Sequence, residues 1–175
     1  MVSYMKTMKI EIMVVDELSL DIKNLIQRAN NREFGNDSLI YDDPEINILG
    51  FFEEKLVSQV AILKRTITVN KIPLKIGGVC YLVTEPDYRG NGFGSTLMRD
   101  AISYLTQELK LPFGLLTCRR ELEEFYMRVG YKTVNGPTIF DQPDGIRTCK
   151  GLTMVIECGG ISWPEGEINL CGLPW

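Results

Sequence analysis

Residues 87–100 read DYRGNGFGSTLMRD, and the fold turns on them. Three glycines alternate, Gly90, Gly92 and Gly94, behind Arg89 and ahead of a helical pattern. Glycine accepts backbone angles and close approaches that a Cβ forbids. A helix that starts here presents unpaired N–H groups and partial positive charge at its N-terminus. The two features together predict a loop that receives phosphate oxygens. Spacing then narrows the ligand. A nucleotide P-loop ends in Gly-Lys-Ser/Thr, whereas Gly94 is followed directly by Ser95. The dinucleotide fingerprint is Gly-x-Gly-x-x-Gly, and this stretch is one residue short of it.

The flanks place the loop. Behind it, Leu97, Met98, Ala101, Ile102, Leu105 and Leu109 recur as on one helix face, and Pro112 stops the helix. Ahead of it, residues 46–52, 56–69 and 73–84 read as strands joined by turns at 53–55 and at Asn70-Lys71, an antiparallel meander. Residues 9–15 alternate as a first strand. Asp16 and Ser19 are caps for a helix carrying Ile22, Leu25, Ile26 and Ala29, with polar loop at 30–44. Downstream, residues 113–118 form a short apolar strand, so strand, helix and strand make a parallel crossover. Leu122, Phe125, Tyr126 and Val129 give a second helix with Gly130 as its C′ residue. Residues 131–134 and 152–157 read as further strands, and 135–137 and 141–145 as turns.

Composition excludes several classes. The 175 residues suit one domain, with 45% hydrophobic and 24% charged residues. A net charge of -4 with no basic run argues against nucleic acid as a partner. The chain has five cysteines, no Cys-x-x-Cys pair and no histidine, so the familiar zinc spacings are missing and no metal is expected. Without histidine, serine-histidine and cysteine-histidine catalysis are excluded within the chain. The cysteines read as free thiols of a reducing compartment. No signal-peptide core and no run of membrane-spanning length is present, so a cytoplasmic protein with no membrane partner is expected.

The segment from Gly78 through Gly94 resembles the signature of the GNAT superfamily of N-acetyltransferases, Arg/Gln-x-x-Gly-x-Gly/Ala, with Arg89, Gly92 and Gly94 at its defined positions. The order of elements around it is similar too. The resemblance implies a single α/β domain over residues 1–175 with a GNAT-like (acyl-CoA N-acyltransferase) fold, a mixed central sheet flanked by helices. It implies acetyl-CoA, or another acyl-CoA, as co-substrate. The pyrophosphate would lie on Arg89, Gly90, Asn91, Gly92, Phe93, Gly94 and Ser95. Strands that splay beyond a bulge would leave Leu82 and Val83 to meet the pantetheine and polarise the thioester carbonyl. Gly77-Gly78 either eases backbone strain there or avoids a packing clash.

Residues 123–131 resemble the family element Phe-Tyr-x-x-x-Gly-Phe/Tyr, in which the tyrosine matching Tyr126 protonates the leaving thiolate; core packing is its other reading. Glu85, just past the strand, is the candidate base, directly or through water, and a solvated turn residue is the alternative. Cys80 reads as an inert core thiol, with an approach to the acyl site as its other reading. Residues 111–115 and 162–168 look like the rhizobial nodulation N-acyltransferases, which acylate a glucosamine amine. The tail, 159–175, with Trp163-Pro164-Glu165-Gly166 and Trp175, is also similar to aminoglycoside 2'-N-acetyltransferases. That likeness implies Trp175 and the acidic loop residues Asp37, Asp42 and Asp43 at an acceptor site for a small-molecule amine, an aminosugar or aminoglycoside; a solvated polar loop and a capping strand whose Trp163 and Trp175 only pack are the other readings. Cys80 stands where the aminoglycoside enzymes carry a glutamate, a departure from their pattern. A longer acyl chain on an aminosugar, or a non-catalytic acyl-CoA sensor, are the alternatives, and a homodimer is compatible with the fold.

Overall fold

The computed structural model describes residues 8–35 and 38–175. Its frame is the meander β2 (Ile46–Phe52), β3 (Lys55–Val69) and β4 (Ile72–Thr84), with β1 (Lys9–Val14) antiparallel to β2. The two hairpin turns are tight. Glu53-Glu54 and Asn70-Lys71 each place two consecutive non-glycine residues in the left-handed region, the twist that joins adjacent strands most directly. Helix α1 (Leu20–Phe34) precedes β2, and its N-cap Ser19 accepts a hydrogen bond from the Ile22 N–H. Helix α2 (Phe93–Gln107) follows β4 and leads to β5 (Phe113–Cys118), parallel to β4. Then come α3 (Glu123–Arg128), β6 (Lys132–Thr133), β7 (Thr138–Gln142), β8 (Gly145–Thr148), β9 (Leu152–Glu157) and β10 (Ile168–Asn169).

Along one path the strand order is β6-β9-β5-β4-β3-β10-β7-β8, with β2 and β1 joined at the first part of β3. The long β3 therefore serves two neighbours on one edge, β2 early and β10 late. The path curls. A hydrogen bond of 2.6 Å between the hydroxyls of Thr138 and Thr153 brings β7 back to β9.

Strand alternation sorts the apolar residues into two cores. Ile48, Val60, Ile62 and Val79 meet Leu97, Met98, Ala101 and Leu105 of α2 on one face. Leu63, Ile67, Ile76, Phe113 and Leu115 meet Phe140, Leu170 and Trp175 inside the curl on the other.

One element departs from what residue patterns predict, and two others gain a definite partner in the fold. Helix α1 runs one turn past Ala29, through Asn30-Asn31-Arg32-Glu33-Phe34, which reads locally as loop. Tertiary bonds hold that turn: the Gln59 amide donates to Asn30 Oδ1 at 2.6 Å, and Arg32 pairs with Glu85. The turn at 141–145 proves to be the tip of the β7–β8 hairpin. The tail packs as a capping strand, with β10 antiparallel to β3 and parallel to β7. Arg65 fastens it. Its side chain, only 12% exposed, donates to the Leu173 carbonyl, pairs with Asp42, and lies 5.1 Å from the centre of the Trp175 ring.

Candidate active site

The site begins with a strand that gains a residue. Between the pairs Gln59↔Val83 and Ala61↔Cys80, β3 advances two residues and β4 three. The extra residue is Tyr81, held at φ +52°, where a side chain costs about 1–2 kcal/mol. Its ring meets Phe34 of α1 edge-on, with centroids 5.6 Å apart. On its other edge β4 pairs with β5 over two rungs alone, Gly77↔Gly114 and Gly78↔Leu115. Past Gly78 the two strands part, so the main chain of Leu82 and Val83 has no β5 neighbour.

Packing explains where the strands stop parting. A Cβ on Gly77 would overlap Leu105 of α2, and one on Gly78 would overlap the Trp175 ring. Leu105 also covers Gly114, 2.9 Å from where its Cβ would stand. The Gly77-Gly78 pair thus serves close approach from both faces, and neither residue has positive φ. The vertex of the opening is closed on one side by a leucine and on the other by a tryptophan.

The glycine loop has the conformation that its sequence demands. Gly90 and Gly92 sit at φ +80° and +78°, and nothing lies within 4 Å of where either Cβ would be. Gly92 is the left-handed N-cap of α2 and offers no side-chain cap, which leaves the first N–H groups of a fifteen-residue helix without a capping side chain. Gly94 is snug, since its Cβ would meet Thr84 Oγ1 at 3.3 Å. Two side chains of the loop turn inward. Asn91 donates to the carbonyls of Tyr88 and Arg89, and Phe93 packs on Phe52 and Tyr88. At both positions the side chain is taken up by neighbouring residues of the protein.

In front of the loop runs a chain of alternating charges. Arg89 donates to the Thr84 carbonyl at 2.9 Å and to Glu33 at 2.6 Å. The same Glu33 oxygen accepts from Arg32 at 3.0 Å. Arg32 then holds both oxygens of Glu85, at 3.0 and 3.2 Å. Burial works to raise the Glu33 carboxyl, but its bonds to Arg32 and Arg89 outweigh that and hold it below the usual range.

Tyr126 projects from α3 into the first core, 8% exposed, its ring edge-on to Phe125 and Tyr131. Burial first, then the nearby thiols of Cys118 and Cys80, push its phenol well above the ordinary value. Burial also raises Cys80, and it pushes Cys118 up to about 11. So Tyr126, Cys80 on β4 and Cys118 at the end of β5 surround the opening in a desolvated setting. Buried thiols with raised pKa values are poor nucleophiles.

The acceptor residues expected from the tail and the acidic loop fall in different places. Asp37 lies outside the described residues. Asp42 is paired with Arg65 and its N–H donates to the Pro174 carbonyl. Asp43 is exposed. Trp175, 7% exposed, lies in the second core over Gly78. Sequence patterns did not single out Arg32, Glu33 or Arg65, because ion pairs across 53 or 23 residues leave no periodic trace. The bulge follows from the family resemblance, but its place at Tyr81 does not, since no glycine marks it. Among the described residues, no group of three His, Cys, Asp or Glu is placed to hold a metal ion, and no helix is long and apolar enough to cross a membrane.

Comparison with known proteins agrees with this geometry. The family model for nodulation protein A (NodA) matches residues 26–168. Nodulation protein A of Bradyrhizobium sp. (strain NC92) is 28% identical over 87 residues, covering 49% of this chain; the match spans 40% of that relative's length. The crystal structure of Escherichia coli ElaA superposes with a TM-score of 0.64 at 17% identity, covering 86% of this chain and 100% of its own. YhbS of Escherichia coli, a GNAT family N-acetyltransferase in complex with coenzyme A, gives a TM-score of 0.57 at 17% identity over 96% of each chain. These structural likenesses establish the GNAT acyl-CoA N-acyltransferase fold.

Proposed function

Since the chain belongs to the nodulation protein A family, we propose that it is an acyl-CoA-dependent N-acyltransferase, moving an acetyl group to a primary amine of a small molecule such as an aminosugar. One observation carries this reading. The bulge at Tyr81 and the two-rung β4–β5 pairing open a slot beside β4, and a side-chain-free helix N-terminus waits at its mouth. A coenzyme A pyrophosphate fits that terminus, where Gly90 and Gly92 leave open space and Arg89 supplies a cation. The coenzyme A complex of YhbS, on the same fold, supports the choice of donor.

The acyl thioester supplies the electrophile, and this chain supplies polarisation and a proton. Main-chain groups at Leu82, free of β5, line the slot where a carbonyl oxygen would gain charge, whereas Val83 pairs with Gln59 of β3 and its carbonyl accepts the Ser58 hydroxyl. The Tyr126 hydroxyl is the proton donor to the departing sulfur. In water a phenol near ~10 is a weaker acid than a thiol near ~8.5. Burial raises the Tyr126 phenol further, so the transfer stays uphill and depends on holding the hydroxyl at the departing sulfur. Glu85 serves as base once Arg32 releases it. Loss of Glu33 from Arg89 to an incoming pyrophosphate draws Arg32 toward Glu33, which favours that release.

Membership of the nodulation family favours a second reading, a longer acyl chain on an aminosugar. The closed vertex supports the short chain, because Leu105 and Trp175 fill both sides of the two paired rungs. Release of coenzyme A, measured with acetyl-CoA and with longer acyl-CoAs on glucosamine and on aminoglycosides, separates the two. No release with any amine would sink both in favour of a binding domain.

A further inference from the structure

Under α1, over the β3–β4 pair, lies a cavity of about 220 Å3. The slot beside β4 opens on the other edge of that strand, toward β5, while this cavity lies on the α1 side and shares Arg32, Val83 and Glu85 with the catalytic reading. A larger hollow of about 380 Å3 sits at the Asn70 turn, at the opposite end of β4, and offers only amide and main-chain groups with one exposed glutamate, Glu165.

The cavity under α1 has a definite chemistry. Ala29, Val57 and Val83, all buried, give it an apolar floor, with the Gln59 amide beside them. Its charged lining is Arg28, Arg32 and Glu85, two cations against one carboxylate, a surplus of one positive charge. Glu85 gives both oxygens to Arg32. Arg28 therefore carries the surplus, and among the described residues it makes no ion pair. A guanidinium beside apolar surface, with no carboxylate of its own, is matched by a fork of two oxygens on an apolar body.

We propose that this cavity binds a small aliphatic monocarboxylate, its carboxylate on Arg28 and its tail against Ala29, Val57 and Val83. A single surplus charge suits a monoanion better than a phosphate dianion. Size sets the tail: at roughly 30 Å3 per water-sized group the space holds about seven non-hydrogen atoms, a carboxylate with a tail of about four carbons. The proposal shares Arg32 and Glu85 with the catalytic reading, but it rests on Arg28 and the apolar floor and needs no acyl donor.

Titration calorimetry on the full chain tests it with pentanoate, acetate, pentanamide and dodecanoate at fixed ionic strength. Saturable pentanoate binding is expected, at least tenfold tighter than acetate, with no binding of pentanamide or dodecanoate. Arg28→Gln should weaken pentanoate tenfold or more, and Arg28→Lys should restore part of that loss. Arg28 is exposed on α1, so neither variant threatens the fold. Equal binding of acetate and pentanoate, no effect of Arg28→Gln, or no saturable binding would each overturn the proposal.

Discussion

At Tyr126, burial keeps the hydroxyl neutral while the reaction asks it for a proton. Tyr126→Phe removes the proton and keeps the ring contacts with Phe125 and Tyr131. It should lower kcat by roughly 10²–10⁴-fold and leave KM for the acyl donor within about twofold. Unchanged turnover would show the ring to be packing alone. The pH profile offers an independent reading. The neutral phenol is the active form, and its raised pKa keeps it protonated beyond the ordinary ~10. Wild-type kcat should therefore show no fall from phenol ionisation as pH rises to about 10. Glu33 is the other residue where a small change speaks. It holds Arg89 in the absence of donor, as an anion that a pyrophosphate must replace. Glu33→Gln should tighten coenzyme A binding by about two- to fivefold, the scale of an exposed ion pair, as read by calorimetry. Weaker binding would mean that Glu33 positions Arg89 for the ligand.

At the scale of elements, the two strands and the loop that frame the slot depend on what rests on their glycines. Gly78→Ala would drive a methyl into the Trp175 ring, and the cost of such overpacking is about 1–3 kcal/mol in urea unfolding. Gly92→Ala meets nothing within 4 Å, so its cost is the left-handed backbone, about 1–2 kcal/mol. Yet it should weaken coenzyme A far more than Gly78→Ala does. The opposite ranking would move the donor off the loop. The contrast shows what could be read from residues alone. The loop, the meander and the crossover were legible because their spacing is local: three alternating glycines, period-two strands, a helical stripe from Leu97 to Leu105. That Gly77-Gly78 exists for a leucine and a tryptophan was not, because those partners lie 28 and 97 residues away from them. Glu85 was found by its place after β4. The Arg32 that clasps it was taken for loop, since only the fold brings the last turn of α1 to the end of β4.

For the molecule as a whole, alkaline pH is the exposed flank. Burial raises the thiols of Cys80, Cys118, Cys149 and Cys158 and the phenols of Tyr126 and Tyr131. Each group has a folded pKa above its unfolded one. The stability it contributes is full below the unfolded value and is lost as pH rises past it, because the unfolded chain ionises first. Tm measured with a reducing agent should hold to about pH 8 and then fall steadily toward pH 10, the thiols leading and the phenols following. A flat Tm over that range would mean that these groups are solvated. Arg65 ties loop and tail into the same unit. Arg65→Met keeps the packing on Trp175 but orphans the Leu173 carbonyl and Asp42, at a cost of about 1–3 kcal/mol. The strand that Arg65 guards has a consequence in time. Hairpin β7–β8 reaches β3 through β10 alone as its strand neighbour, and β10 is made some twenty residues later. On a translating ribosome the nascent hairpin must wait without its seat, its Phe140 exposed, until residues 168–175 clear the exit tunnel.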